Sequence, residues 1–111
     1  MESCVFCKIV SGDLPATFIY KDDNVVVFKN IAPVATHHYL VIPVKHVDNF
    51  MEAKDEILAM TKASQRVIKD LHMEDAYKLV FNGGIYQSVP HLHWHLLAGK
   101  LESDKDLLNH L

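Results

Sequence analysis

Residues 91–97 read His-Leu-His-Trp-His-Leu-Leu, an imidazole at every second position with an apolar side chain in each gap. A β-strand has a side-chain period of two, so this segment sets His91, His93 and His95 on one face and Leu92, Trp94 and Leu96 on the other. The apolar set then packs under a helix, and the imidazoles form a working face. A rise of about 3.3 Å per residue separates His91 from His95 by roughly 13 Å at the backbone. Zinc needs nitrogens at about 2.0–2.1 Å, so three ligands from one straight strand cannot share an ion, although one of them can join ligands from elsewhere.

Working outward from this strand, the preceding "AYKLVFN" (76–82) is a β-prone run, and "GGIYQSVP" (83–90) is a glycine-bearing loop. Upstream the period changes. Ile57, Ala63, Val67, Ile68 and Leu71 recur at helical spacing with Lys54, Glu56, Lys62 and Lys69 between them, which predicts the main helix over about Ala53 to His72. "HYLVIPV" is apolar and β-branched, a buried strand stopped at Pro43, and "IAPVATH" before it reads as a loop. "TFIYKDDNVVVFKN" holds two β-rich runs joined at Asp22-Asp23-Asn24, a hairpin signal. "VFCKIVSG" reads as a short first helix ended by Gly12, and the polar tail after Gly99 as helical around Asp106 to Asn109. The expected architecture is α+β: a five-stranded antiparallel sheet with one long helix and a short N-terminal helix.

The 111 residues suit a single domain spanning 1–111. A net charge of −3 leaves no basic footprint for nucleic acid. The apolar runs are strand-sized, too short for a membrane span, and Glu2 and Lys8 bracket too short an apolar stretch for a signal peptide, so the expected compartment is the cytoplasm. There Cys4 and Cys7 belong to metal or redox chemistry rather than to a structural disulfide, and their place at the extreme N-terminus favours metal.

The loop before the triple-histidine segment offers Asn82, Gln87 and Ser88 as hydrogen-bonding groups, with backbone N–H groups at Gly83 and Gly84 that can hold an anion such as phosphate. A histidine with a pKa near 6.5 is largely neutral at pH 7, and a neutral imidazole facing a held phosphate can attack phosphorus. A phosphohistidine intermediate is the chemistry this arrangement suits. For His37, His72 and His110 the plainer roles are exposed loop, helix end and tail, respectively.

"QSVPHLHWHLL" resembles the signature of the histidine triad family, in which three histidines alternate with apolar residues. "CVFCKIVSGDLPATFIYKDD" and "VVVFKNIAPVATHHYLVIPVKHV" resemble that family's N-terminal and middle blocks. The resemblance implies a homodimer with a continuous sheet, and a nucleotide hydrolase or transferase working on the α-phosphate. It implies His93 as nucleophile, His95 and His38 as its supporting histidines, and Ser88 and Asn82 as phosphate and leaving-group contacts, with Gln87 beside them. It places Asn30 and Ile31 in the nucleoside pocket, with Phe6 and Phe28 as walls. The family usually carries Asp where this chain has Asn30, and the tail lacks the Trp-Pro-Pro-Gly-like ending of the phosphoramidase branch. The preferred substrate class is a nucleoside 5'-phosphoramidate such as adenosine phosphoramidate. The alternatives are a dinucleoside polyphosphate hydrolase, or a zinc-stabilised nucleotide- or partner-binding protein with little turnover. Members with the N-terminal C-x-x-C imply a structural zinc held by Cys4, Cys7, His46 and His91.

Overall fold

The computed structural model describes residues 3–101. Five strands form one antiparallel sheet in the order β1-β2-β3-β5-β4, where β1 is Phe18–Lys21, β2 Val25–Lys29, β3 Ala35–Pro43, β4 Tyr77–Val80 and β5 Trp94–Leu101. Helix α1 (Val5–Ser11) precedes β1, and α2 (Glu56–Asp70) joins β3 to β4.

The β1–β2 hairpin closes where the sequence predicts. The Asp22 carboxylate accepts the backbone N–H groups of Asn24 and Val25, both at 2.7 Å, which is an Asx-type turn. The next strands explain the layers. β2 carries Val25, Val26, Val27 and Phe28 without a break, and all four are buried, so both faces of this strand need cover. Alternation then divides the core. Val25, Val27, Tyr39, Val41, Leu92, Trp94 and Leu96 pack with Met60, Ala63, Val67 and Ile68 of α2. Val26, Phe28, Leu40 and Ile42 pack on the opposite face with Cys4, Phe6 and Ile9. The long helix therefore covers one face of the sheet and the short helix covers part of the other.

α1 ends at Gly12, whose φ of 88° is the left-handed conformation that lacks a steric penalty only for glycine, and whose N–H reaches Ile9 O. α2 ends differently. His72 N–H donates to Lys69 O and Met73 N–H to Ile68 O, with His72 itself at φ 56°. This is the Schellman closure with a histidine in the position glycine usually takes.

Several boundaries differ from the expected ones. Ala35, Thr36 and His37 belong to β3 and not to a loop, because Gly99 (φ 79°) brings β5 close to Thr36. A side-chain carbon at 99 would lie 2.7 Å from the Thr36 Cβ. The main helix begins at Glu56 rather than Ala53, with a separate 3-10 turn at Phe50–Glu52. Leu71 caps α2 and is exposed rather than facing the core. β5 starts only at Trp94, so His91, at a bend, and His93 sit ahead of the ladder, where Leu92 N–H donates to Val47 O at 2.7 Å. The expected alternation survives in the packing: His91 and His93 meet Phe6 on the α1 face, and Leu92 joins the core under α2. The helix expected near Asp106 to Asn109 lies outside the described residues.

Candidate active site and metal centre

On the α1 face, a cavity of about 500 Å³ has an apolar and a polar part to its wall. Phe6, Ile9, Leu14, Pro15 and Phe28 supply the first, and Ser88, His93 and His95 the second, with Asn30 and Ile31 also on its wall. Phe6 and Phe28 meet edge to face at 5.9 Å, and Phe6 also meets the His93 ring at 5.1 Å. Ile31 is almost fully exposed, which makes it a rim residue.

The hydrogen bonds assign each imidazole its proton. His93 Nδ1 lies 2.8 Å from the His91 carbonyl, so it carries the proton and donates, leaving the Nε2 lone pair free. The Val34 N–H donates to His38 Nδ1 at 3.1 Å, so the His38 proton is on Nε2. That Nε2–H donates to His95 Nδ1 at 2.9 Å, so His95 keeps its own proton on Nε2. The cavity is thus lined by one imidazole with a free lone pair and one with an N–H. Burial lowers the pKa of His93, opposed by the bond to the His91 carbonyl, and burial likewise lowers that of His38. Burial, followed by the neighbouring His93 and His38, brings His95 down to about 4. All three are neutral at pH 7.

Asn30 is less comfortable. Its Oδ1 accepts the Ala32 N–H at 2.9 Å, which turns its Nδ2 toward His38 Nε2 at 3.2 Å. With both nitrogens protonated, this contact is donor against donor, and flipping the amide only moves the conflict to Ala32.

The second cluster joins Cys4, Cys7, His46 and His91, whose ligand atoms all lie within 4.8 Å of one another. Cys4 caps α1, its sulfur accepting the Cys7 N–H. Cys4 Sγ lies 3.3 Å from His91 Nδ1, and Cys7 Sγ lies 3.2 Å from His46 Nδ1. Tetrahedral zinc with standard bonds to sulfur and nitrogen spaces its ligands about 3.3–3.8 Å apart, close to the sulfur–nitrogen separations of 3.2, 3.3 and 3.6 Å found here. The outer partners fit too. His91 Nε2–H donates to Pro43 O at 2.9 Å and His46 Nε2–H to the Asp48 carboxylate at 2.6 Å, which leaves both Nδ1 lone pairs facing the sulfurs. Burial, and after it the adjacent Cys4 sulfur, pushes the Cys7 thiol up to about 11.

The structure thus gathers His93, His95, Ser88, Asn30, Ile31, Phe6 and Phe28 at one cavity, with His38 behind His95 and outside the lining, and the four metal candidates at another site. Asn82 and Gln87 do not line the cavity. The Gln87 amide nitrogen instead donates to Asp48 O at 2.6 Å and Val89 O at 2.8 Å. Sequence reading missed Asp48, although its place two residues after His46 was a usable signal. It also missed Leu14, Pro15 and Ala16, which line the cavity by virtue of the turn after Gly12 and carry no sequence signal of that role.

The family model described as "Scavenger mRNA decapping enzyme C-term binding" matches residues 3–109. The chain is similar to a HIT family hydrolase from Clostridium thermocellum, with 40% identity and a TM-score of 0.84 over 89% of this chain and 92% of that one. A zinc-bound histidine triad family protein from Mycobacterium smegmatis is 34% identical, with a TM-score of 0.82 over 94% of this chain and 79% of that one. A bifunctional adenosine 5'-phosphosulfate phosphorylase/adenylylsulfatase of Arabidopsis thaliana is 33% identical over 103 residues, 87% of this chain and 70% of that protein.

Proposed function

The chain belongs to the histidine triad family, and from that premise we propose that it is a nucleotide hydrolase that cleaves at the α-phosphate through a nucleotidyl-His93 intermediate. The observation that carries this reading is the tautomer of His93: its Nδ1–H is tied to the His91 carbonyl, and its Nε2 lone pair is free at the polar part of the wall of a nucleoside-sized cavity. The base and sugar lie against the apolar wall that Phe6 and Phe28 form, with Asn30 and Ile31 beside the ribose. The proton on His95 Nε2 and the Ser88 hydroxyl hold the phosphate oxygens.

The substrate class is a nucleoside 5'-phosphoramidate. His93 Nε2 forms a bond to phosphorus as the P–N bond breaks, and the amine departs with a proton drawn from solvent through Ser88. Water then attacks the nucleotidyl-His93, gives up a proton, and releases the nucleoside monophosphate and the neutral imidazole. His38 keeps His95 in the correct tautomer throughout. The Arabidopsis relative is named for adenosine 5'-phosphosulfate, so the leaving group is the open variable. Zinc held by Cys4, Cys7, His46 and His91 ties α1 to the sheet and supplies structure rather than chemistry. The enzyme acts as a homodimer of single-domain chains in the cytoplasm.

Turnover of a fluorogenic adenosine phosphoramidate, beside diadenosine polyphosphate and adenosine 5'-phosphosulfate, tests the substrate class. His93→Ala is expected to lower turnover by more than about 10³-fold while nucleotide still binds, and rapid quench of the wild type should trap nucleotide on His93. Undiminished activity in His93→Ala would overturn the mechanism.

A further inference from the structure

The side chain of Gln87 faces away from the cavity and joins two segments that serve different sites. Its amide nitrogen donates to the carbonyl of Asp48 at 2.6 Å and to that of Val89 at 2.8 Å. Asp48 is the carboxylate that holds His46, a candidate metal ligand, at 2.6 Å. Val89 follows Ser88, and both line the cavity beside His93 and His95. A continuous set of contacts therefore runs from the metal centre through His46, Asp48 and Gln87 to the segment that carries Ser88. A separate route runs from His91 through its own carbonyl to His93 Nδ1.

We propose that Gln87 is a positioning residue, a strap through which metal at Cys4, Cys7, His46 and His91 fixes Ser88 at the phosphate end of the cavity. This rests on the nucleotide and zinc readings above. A bound metal takes the His46 Nδ1 lone pair and holds the ring, which holds the Asp48 carboxylate. The Asp48 backbone carbonyl is then a fixed acceptor for Gln87. Without the metal, the 46–48 segment keeps the bond from Leu92 N–H to Val47 O, the place of Val47 in the core and the contact of His46 with Cys7 Sγ, but the His46 ring is no longer fixed by a coordinate bond, and the Asp48 carbonyl becomes a looser acceptor for the side chain that anchors Ser88. The two routes divide the labour: His91 sets the proton of the nucleophile, and Gln87 sets the residue that meets the phosphate.

The zinc-loaded chain is the material for the test, in wild type and in Gln87→Met, which keeps the length of the side chain and removes its donor. Three quantities are measured: zinc content, amide hydrogen exchange over residues 84–90, and binding of 5'-AMP beside adenosine, which lacks the phosphate. Chelation of the wild type should speed exchange over 84–90 and weaken AMP about 5–10-fold, the loss of one hydrogen-bonded anchor, with adenosine unchanged. Gln87→Met should retain zinc and show the same weakening with the metal in place, and chelation should add nothing further to it. AMP binding and exchange in zinc-loaded Gln87→Met equal to wild type would overturn the strap, as would an equal loss on chelation in both proteins. The zinc-loaded comparison stays decisive even where the metal-free chain unfolds. A wild type that takes up no zinc refutes the metal reading and the coupling with it. One that binds neither AMP nor adenosine refutes the nucleotide reading, and the exchange data still judge the strap.

Discussion

At the scale of single residues, the site is a set of protons placed by hydrogen bonds, and Asn30 is the position where placement is imperfect. Its amide nitrogen faces a protonated His38 Nε2 at 3.2 Å. In Asn30→Asp, a carboxylate could accept from Ala32 N–H and His38 Nε2–H together, and it would favour charged His38. The His38 pKa, lowered by burial in this chain, should rise by about one unit or more, as read from its ring shifts in an NMR titration. A value that stays or falls would mean that the His38 tautomer is wrongly assigned. His95 gives a second test. Its folded pKa of about 4 lies below the ordinary histidine value, so the unfolded chain binds the extra proton first. The stability this neutral group confers is complete above about pH 6.5 and is lost as pH falls toward 4. The melting temperature should drop across that window more steeply in wild type than in His95→Gln. Parallel curves would show that His95 does not titrate with unfolding. The alternation in residues 91–97 made the histidine face legible, but not which nitrogen of each ring carries a proton. That depends on backbone groups of Val34, Pro43 and His91, brought close only by folding.

At the scale of elements, periodicity located the long helix and the histidine strand, and β-branched runs, turn residues and Gly12 located the other strands and the short helix among the described residues. The ends were harder to read. β5 begins three residues later than the alternation suggests, since side chains can alternate between faces where the backbone bonds outside the ladder, as Leu92 N–H does to Val47 O. β3 begins earlier, since the closeness of Gly99 to Thr36 is a property of two strands and not of either sequence. The end of α2 shows local and global preference in conflict. His72 occupies a left-handed position that costs an ordinary L-residue about 1–2 kcal/mol, and the Schellman bonds hold it there. His72→Gly removes that strain but adds freedom to the unfolded chain, so the net gain should be at most about 1 kcal/mol. Thermal melts should show a small rise in melting temperature with catalytic rates unaltered. A fall would mean that the imidazole itself supports the helix end.

At the scale of the whole molecule, the two sites share one face of the sheet and one short helix. α1 brings Cys4 and Cys7 to the metal centre and Phe6 to the cavity, so a seven-residue helix with little stability of its own is held by what it touches. Sequence spacing could pair the cysteines with zinc chemistry. It could not show that Phe6, between them, packs on both His91 and His93. The edge of the sheet next to β5 is unfinished. β4 is an edge strand, and Tyr77 and Leu79 on it, with Phe81 just beyond, are exposed. An apolar, unpaired edge invites pairing with another chain and is ordinarily protected by charge, proline or a cover. Within Tyr77–Val80 the only charge is Lys78. A second copy pairing β4 with β4 would bury these side chains and continue the sheet across a twofold axis, which is the assembly proposed above. Light scattering at micromolar concentration should then report a dimer. Leu79→Lys, with a charge on the exposed apolar row, should shift the protein to monomer and leave the internal β4–β5 pairing intact. If wild type is a monomer, or if Leu79→Lys remains a dimer at the same concentration, the association does not run through β4, and the edge requires a different cover.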